Sequence, residues 1–428
     1  MKYVIIGGSA AGVTAAETLR KYDKKAEITM VSDETFALYS RCLLTYLISG
    51  AIDEEGLCFK NKDFYKANNI KTYLGKKAVA IDAKNKTLTL EDKTAIKYDK
   101  LLIATGASPK KLSAPGIDKK GVLTVRRIDD AREIISMMDK VKQIAVLGGG
   151  LIGLRDAYAL RKRDKEVTVI VKSPQVLSQM VDKEAADIIQ AVLEKNGIKV
   201  KTGVAAKEIL GADSVSGILL DNGEKLQCQM VIIGKGVNPN SEIASACGLK
   251  VEDAIVVDEF LRTSDENIFA AGDVAQTHDI ARQVKRVNAL WPCAVEQGEA
   301  AALNMSGKSK AYDGSLSMNS VDFFGLGCIS MGITKPKEAG YEIISKVNPG
   351  VYYKKLVLKG NMVTGMVFLG DIKAAGIISI LIKSRIDISS IKHLLLEDNF
   401  DYAKVMPLVA DNQEKFSAEE YKDLMISF

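Results

Sequence analysis

The sequence predicts an α/β chain: two Rossmann-like dinucleotide-binding domains followed by a small C-terminal α+β domain. Three observations predict it. A glycine-rich strand–turn–helix segment occurs twice, once near residue 4 and again near residue 145. Strand and helix signals alternate through residue 240, the pattern of parallel sheets covered by helices. From about Ala311 the texture changes to strand hairpins and one apolar helix.

The first segment reads Val4-Ile5-Ile6-Gly7-Gly8-Ser9-Ala10-Ala11-Gly12 and the second Ala145-Val146-Leu147-Gly148-Gly149-Gly150-Leu151-Ile152-Gly153. The register holds past the glycines: Ala16 matches Ala157, Leu19 matches Leu160, and Arg20-Lys21 matches Arg161-Lys162. A short apolar run, a glycine turn and an amphipathic helix place a helix N-terminus against a pyrophosphate. One copy predicts one dinucleotide. Two copies predict two, and hence a flavin reduced by a nicotinamide.

The helix after Gly12 is expected to reach about residue 22, with a strand over 27–31 and further strands over 86–90 and 99–104. The second unit begins near Gln143. Its helix ends near Asp164, and strands follow over 167–171, 199–202, 217–220 and 230–233. In the tail, residues 318–332 are strand-like. Residues 352–358 and 362–369 form a hairpin about Lys359-Gly360-Asn361, and a helix covers 374–383. The expected domains are 1–112 with 241–310, then 113–240, then 311–428.

Bulk properties exclude several classes. The chain has 428 residues, a net charge of +5 and no basic block, which argues against nucleic acid but suits an acidic protein partner. The chain goes from Met1-Lys2 straight into a strand, leaving no room for a signal peptide, and the longest late apolar run, 374–382, is too short to span a bilayer. A cytoplasmic protein is expected, with no membrane role. The six cysteines and two histidines show no metal-ligand spacing, so no metal site is expected.

Two more motifs complete the set: Leu101-Leu102-Ile103-Ala104-Thr105-Gly106-Ala107, a strand ending in Thr-Gly, and Ile268-Phe269-Ala270-Ala271-Gly272-Asp273, a strand ending in Gly-Asp. With the two cradles, their order resembles the FAD- and pyridine-nucleotide-dependent disulfide oxidoreductase superfamily over residues 1 to about 305. Tyr39-Ser40-Arg41, Leu43-Leu44, Leu290-Trp291-Pro292, Ala294-Val295-Glu296-Gln297-Gly298 and Phe323-Phe324-Gly325-Leu326 resemble rubredoxin reductases and the flavin-binding part of assimilatory nitrite reductases. The tail from Tyr352 to Asp371 is similar to the C-terminal domain of those proteins.

The resemblance implies FAD at the first cradle, held by Gly7, Ser9, Ala10, Ala11 and Gly12, with Arg41, Thr105, Gly106, Gly272 and Asp273 around it. Ser9 stands where the middle glycine is usual. The acid expected at the adenosine ribose is Glu34, with Asp33 as the alternative. A helix from about Cys293 would aim its positive end at the flavin. The second cradle would hold NADH or NADPH through Gly148, Gly150, Leu151, Ile152, Gly153, Lys172, Gly234 and Gly236. Here the chain departs from pattern. Lys172 follows Val171 where NADH enzymes carry a glutamate, and a cation there suits a 2′-phosphate. Arg155 replaces the family's helix glutamate.

Cys42 is the candidate catalytic cysteine. Coenzyme A disulfide reductases, NADH peroxidases and NADH oxidases carry a redox cysteine in this region; rubredoxin- and nitrite-reductase-like chains commonly have proline. The other reading is a buried packing residue. Cys293 carries the same two readings; Cys58, Cys228, Cys247 and Cys328 are read as packing.

Three functions follow. The first passes electrons from NAD(P)H through FAD to a small iron–sulfur protein, a rubredoxin or ferredoxin. The second uses Cys42 to reduce a disulfide or persulfide, peroxide or oxygen. The third is a flavin-carrying subunit beside a cluster-bearing partner. A homodimer through the tail stays open.

Overall fold

The computed structural model describes residues 1–36 and 38–426. It falls into two compact units. The first, residues 1–174, 197–279 and 284–315, contains two parallel sheets. In chain order the strands of these two sheets are β1 (Lys2–Ile6), β2 (Glu27–Ser32), β3 (Ile70–Leu74), β4 (Lys100–Ile103), β5 (Val122–Leu123), β6 (Gln143–Leu147), β7 (Glu166–Val171), β8 (Ile198–Thr202), β9 (Met230–Ile233) and β10 (Ile268–Ala270). The first sheet has the order β10-β4-β1-β2-β3 and the second β8-β7-β6-β9-β5. Every ladder in both is parallel.

The helices of this unit that matter for the site are α1 (Ala10–Tyr22), α2 (Leu44–Ser49), α3 (Leu151–Arg161) and, after the gap taken by the second unit, the late helix Trp291–Met305. The central strands β1 and β6 are almost wholly buried. They read as continuous apolar runs because helices or loops cover both faces of a parallel sheet. The Rossmann-like α/β architecture expected from the sequence is the one observed.

Two strands do not continue the parallel sheets as expected. Thr87–Leu90 pairs antiparallel with Ala78–Asp82 and Ala95–Lys97, and Gly217–Leu220 pairs antiparallel with Ala206–Leu210 and Lys225–Gln227. Their short length and tight turns are the marks of a meander rather than of a crossover.

The second unit comprises residues 175–196, 280–283 and 316–428. Here α4 (Lys183–Lys195) is followed by the five-stranded antiparallel sheet β11 (Met318–Phe323), β12 (Leu326–Gly332), β13 (Tyr341–Asn348), β14 (Tyr352–Lys359) and β15 (Met362–Leu369), in the order β11-β12-β15-β14-β13. The expected strand-like stretch over 318–332 is a hairpin turning at Phe324-Gly325, and the expected second hairpin is β14–β15. Leu356, Leu358, Met366 and Phe368 pack against the apolar helix Ala375–Ser384. Asp182 caps α4 by accepting from the Ala185 amide at 3.1 Å, and the Tyr353 hydroxyl and Lys355 ammonium on β14 bind the same carboxylate.

Candidate functional site

The first cradle follows from packing at the end of β1. The chain turns at Gly7, whose amide donates to the Val31 carbonyl at 2.8 Å, and α1 starts three residues later. A Cβ on Gly12 would stand 1.9 Å from the Gly7 carbonyl oxygen, so only glycine lets the helix approach the turn. Ser9 is the N-cap of α1, but its side chain makes no capping bond, and no acid lies in the first turn. Ser9, Ala10, Ala11 and Gly12 therefore present unsatisfied amide donors and a positive helix end, the two features that bind phosphate.

The other predicted residues of this cradle gather around it. Gly272 follows β10 by two residues, and its amide donates to the buried Gln297 at 2.8 Å. The Thr105 hydroxyl donates to the Asn240 carbonyl at 2.8 Å, the Asn240 side chain returns a bond to the Thr105 carbonyl at 2.9 Å, and the Gly106 carbonyl accepts from the Asn240 amide at 2.9 Å. These contacts fix the ends of β4 and β10 beside the glycine turn.

An acid–arginine network spans the same region. Glu34 accepts from the Tyr39 hydroxyl at 2.5 Å and forms an ion pair with Arg41. Arg41 donates through its other nitrogen to the Arg126 carbonyl at 2.8 Å. The Arg126 guanidinium donates to Asp273 at 3.0 Å and to the Ala107 carbonyl at 2.8 Å. Arg127 pairs with Asp33 at 2.6 Å. Burial, then the Glu34 charge and hydrogen bond, outweigh Arg41 and keep the Tyr39 phenol a hydroxyl at any physiological pH. Arg126, Arg127 and Asn240 escaped the sequence reading. No local motif marks them, because each acts on a residue far away in the chain.

The second cradle repeats the first. Gly148 has φ +134°, and a Cβ there would lie 2.3 Å from the Gly234 carbonyl oxygen. Gly150 occupies the N-cap position of α3 but makes no side-chain capping bond, no acid lies in the first turn, and Leu151, Ile152 and Gly153 form that turn. Lys172 is exposed just past β7. Lys235 is half-buried between Gly234 and Gly236 past β9. Arg155 turns out of this helix towards α2. It donates to the Cys42 carbonyl at 2.8 Å and the Thr45 hydroxyl at 3.1 Å, and its guanidinium lies 5.6 Å from the Tyr46 ring centre. Its neighbour Asp156 is 1% exposed, and neither carboxylate oxygen has a hydrogen-bond partner.

Cys42 lies in a short 3-10 turn ahead of α2 and is exposed, unlike the buried packing residue that was one of its two readings. Protein on its flanks still pushes the thiol up by desolvation, while Arg155 pulls the other way. Cys293 lies two residues past the start of the late helix and is buried. Cys228 and Cys328 are buried as well, with thiols raised by burial to about 12, whereas Cys58 and Cys247 are partly exposed. Among the described residues, no group of three or more His, Cys, Asp or Glu side chains could hold a metal, and no helix is long and apolar enough to cross a membrane.

The family pattern for pyridine nucleotide-disulphide oxidoreductases matches residues 1–298. The chain belongs to that family. In this oxidoreductase, residues 318–386 also match the C-terminal domain of rubredoxin NAD+ reductase. It is 37% identical over 322 residues to an NADH oxidase of Methanocaldococcus jannaschii, covering 73% of this chain and 72% of that protein. It is 32% identical over 396 residues to the epsilon subunit of an NADH-dependent phenylglyoxylate dehydrogenase of Aromatoleum evansii, with 91% and 93% covered. A rubredoxin-NAD(+) reductase of Pseudomonas putida is 35% identical over 282 residues, with 65% and 73% covered. Among solved structures, a covalent putidaredoxin reductase–putidaredoxin complex is similar with a TM-score of 0.87 at 26% identity, over 96% of this chain and 99% of the other.

Proposed function

We propose that this oxidoreductase passes electrons from NAD(P)H through FAD to a small iron–sulfur carrier of the rubredoxin or ferredoxin kind. One observation carries the reading: two uncapped glycine cradles stand in one chain whose tail matches a rubredoxin reductase domain. Bound FAD would supply the chemistry, taking electrons as a pair and releasing them singly.

The chain's own residues would do the positioning. Gly7, Ser9, Ala10, Ala11 and Gly12 would cradle the FAD pyrophosphate. Glu34 or Asp33 would meet the adenosine ribose, while Arg41, Thr105, Gly106, Gly272 and Asp273 would line the rest. The late helix starts at Trp291-Pro292 with no acid in its first turn, so its N-terminus would favour negative charge on a reduced ring. Gly148, Gly150, Leu151, Ile152, Gly153, Lys172, Gly234 and Gly236 would hold the nicotinamide nucleotide. On this reading residues 1–112 and 241–310 form the FAD domain, 113–240 the NAD(P) domain and 311–428 an interface domain through which a homodimer would form in the cytoplasm. The net charge of +5 suits the acidic surface of an electron carrier. The rubredoxin reductase relative and the reductase–putidaredoxin complex support the same acceptor class.

The test is an anaerobic acceptor assay on FAD-replete protein. Added rubredoxin or ferredoxin should be reduced rapidly by NAD(P)H, and Cys42→Ser should keep most of that rate. A second reading rests on the exposure of Cys42 beside Arg155: a thiol-dependent persulfide, disulfide, peroxide or oxygen reductase. Its signature is a charge-transfer band on two-electron reduction that Cys42→Ser abolishes.

A further inference from the structure

Lys172 is the first residue past β7 and Lys235 the second past β9, and these strands flank β6 on either side. Both strand ends press on the glycine turn after β6. The Val171 methyl groups lie 2.7 Å from where a Cβ on Gly149 would stand, and the Gly234 carbonyl oxygen lies 2.3 Å from one on Gly148. The two lysines are thus rooted on either side of the second cradle.

Neither has a partner. Among the described residues, no carboxylate pairs with Lys172 or Lys235, and no hydrogen bond engages them. Burial first, and then the charge of Lys172, push the Lys235 ammonium below its ordinary range. Two cations that repel one another, with no acid between them, are in an unfavourable arrangement until an anion arrives. The pyrophosphate of a dinucleotide is already provided for by the uncapped N-terminus of α3. The segment past β7, Lys172-Ser173-Pro174, has no acid to accept bonds from free ribose hydroxyls.

We propose that Lys172 and Lys235 clamp the 2′-phosphate of NADPH, so that the second cradle prefers NADPH to NADH. The proposal rests on the reading of that cradle as the nicotinamide-nucleotide site. An ammonium–phosphate contact is a charge-assisted bond, which makes the expected preference roughly tenfold to a hundredfold.

The experiment compares 2′,5′-ADP with 5′-AMP by calorimetry on the FAD-replete protein. The clamp predicts tighter binding of 2′,5′-ADP by that factor, and Lys172→Glu and Lys235→Gln each shrink the gap. The same variants should lower the ratio of NADPH to NADH kcat/KM for flavin reduction. Equal binding of the two probes overturns the clamp. So does a Lys235→Gln variant that weakens both probes alike, because Lys235 would then serve the 5′-phosphate. If neither NADH nor NADPH reduces the flavin, the electron-transfer function fails, and the binding comparison still decides the clamp on its own.

Discussion

Arg126 donates to Asp273 at 3.0 Å, joining the Arg-Arg segment ahead of the second cradle to the Gly-Asp motif that closes the first sheet. Both side chains are largely shielded, with 20% and 18% exposure. The pair stands beside the first cradle, where on the proposed reading FAD would bring two phosphate charges. Arg126→Ala should weaken FAD binding roughly tenfold to a hundredfold, the usual worth of one charge-assisted bond. Arg126→Lys should restore little of it, because lysine lacks the planar fork that reaches Asp273 and the Ala107 carbonyl together. Titration of FAD-free protein with FAD, followed by quenching of flavin fluorescence, measures both.

Cys42 should react sluggishly at neutral pH despite its exposure. Desolvation holds the thiol above its ordinary range, and the Arg155 charge only partly offsets that. The alkylation rate should climb on the alkaline side of pH 9. Removing the cation in Arg155→Leu should move that profile to still higher pH, since the thiolate loses its main electrostatic support. Peptide-resolved mass spectrometry of iodoacetamide labelling against pH separates Cys42 from the buried cysteines.

Asp156 should cost the fold stability. Its carboxyl is buried without a partner, and desolvation raises its proton affinity well above the ordinary value, although Arg155 opposes this. The folded chain therefore keeps a proton that the unfolded chain sheds above the usual aspartate range. Stability falls as pH rises from that range towards the raised folded value. Asp156→Leu should stabilise by about 1–3 kcal/mol at neutral pH. The gap between the two proteins in urea unfolding should close at acid pH, where both states of the parent are protonated.

Asp182 should behave in the opposite sense. Burial would raise its carboxyl, but Lys355, the Ala185 amide and Tyr353 overcome this and hold it below the ordinary value. Its contribution is present above the unfolded pKa and is lost as pH falls through the folded one. Asp182→Asn leaves the 5%-exposed Lys355 without its counter-charge and should destabilise the chain by about 3 kcal/mol in denaturant melts.

The cradles were legible in the sequence because backbone sterics fix their spacing. Gly12 must be glycine when a Cβ would meet a carbonyl oxygen at 1.9 Å, and no tertiary context can relax that. Strands β1 and β6 were legible as short apolar runs ahead of glycine turns, and β14 and β15 as a hairpin about Lys359-Gly360-Asn361. Strand β3 was not, since Ile-Lys-Thr-Tyr-Leu is half-exposed at a sheet edge. Strand β13 also lies at an edge and leaves Ile343 and Val347 exposed while Tyr341 and Ile344 pack on the core, so its apolar residues mark no single buried face. The Arg126–Asp273 pair was invisible for another reason: it joins positions 147 residues apart, and nothing local marks either arginine of the pair Arg126-Arg127. The exposure of Cys42 and the turn of Arg155 towards it likewise depend on α2 packing against α3.

The most direct measurement is anaerobic stopped-flow spectroscopy of the purified, FAD-replete chain. NAD(P)H should bleach the flavin absorbance, and a following mix with oxidised rubredoxin or ferredoxin should restore it while reducing the carrier. A chain that takes up no FAD, or whose flavin NAD(P)H leaves oxidised, would contradict the central claim.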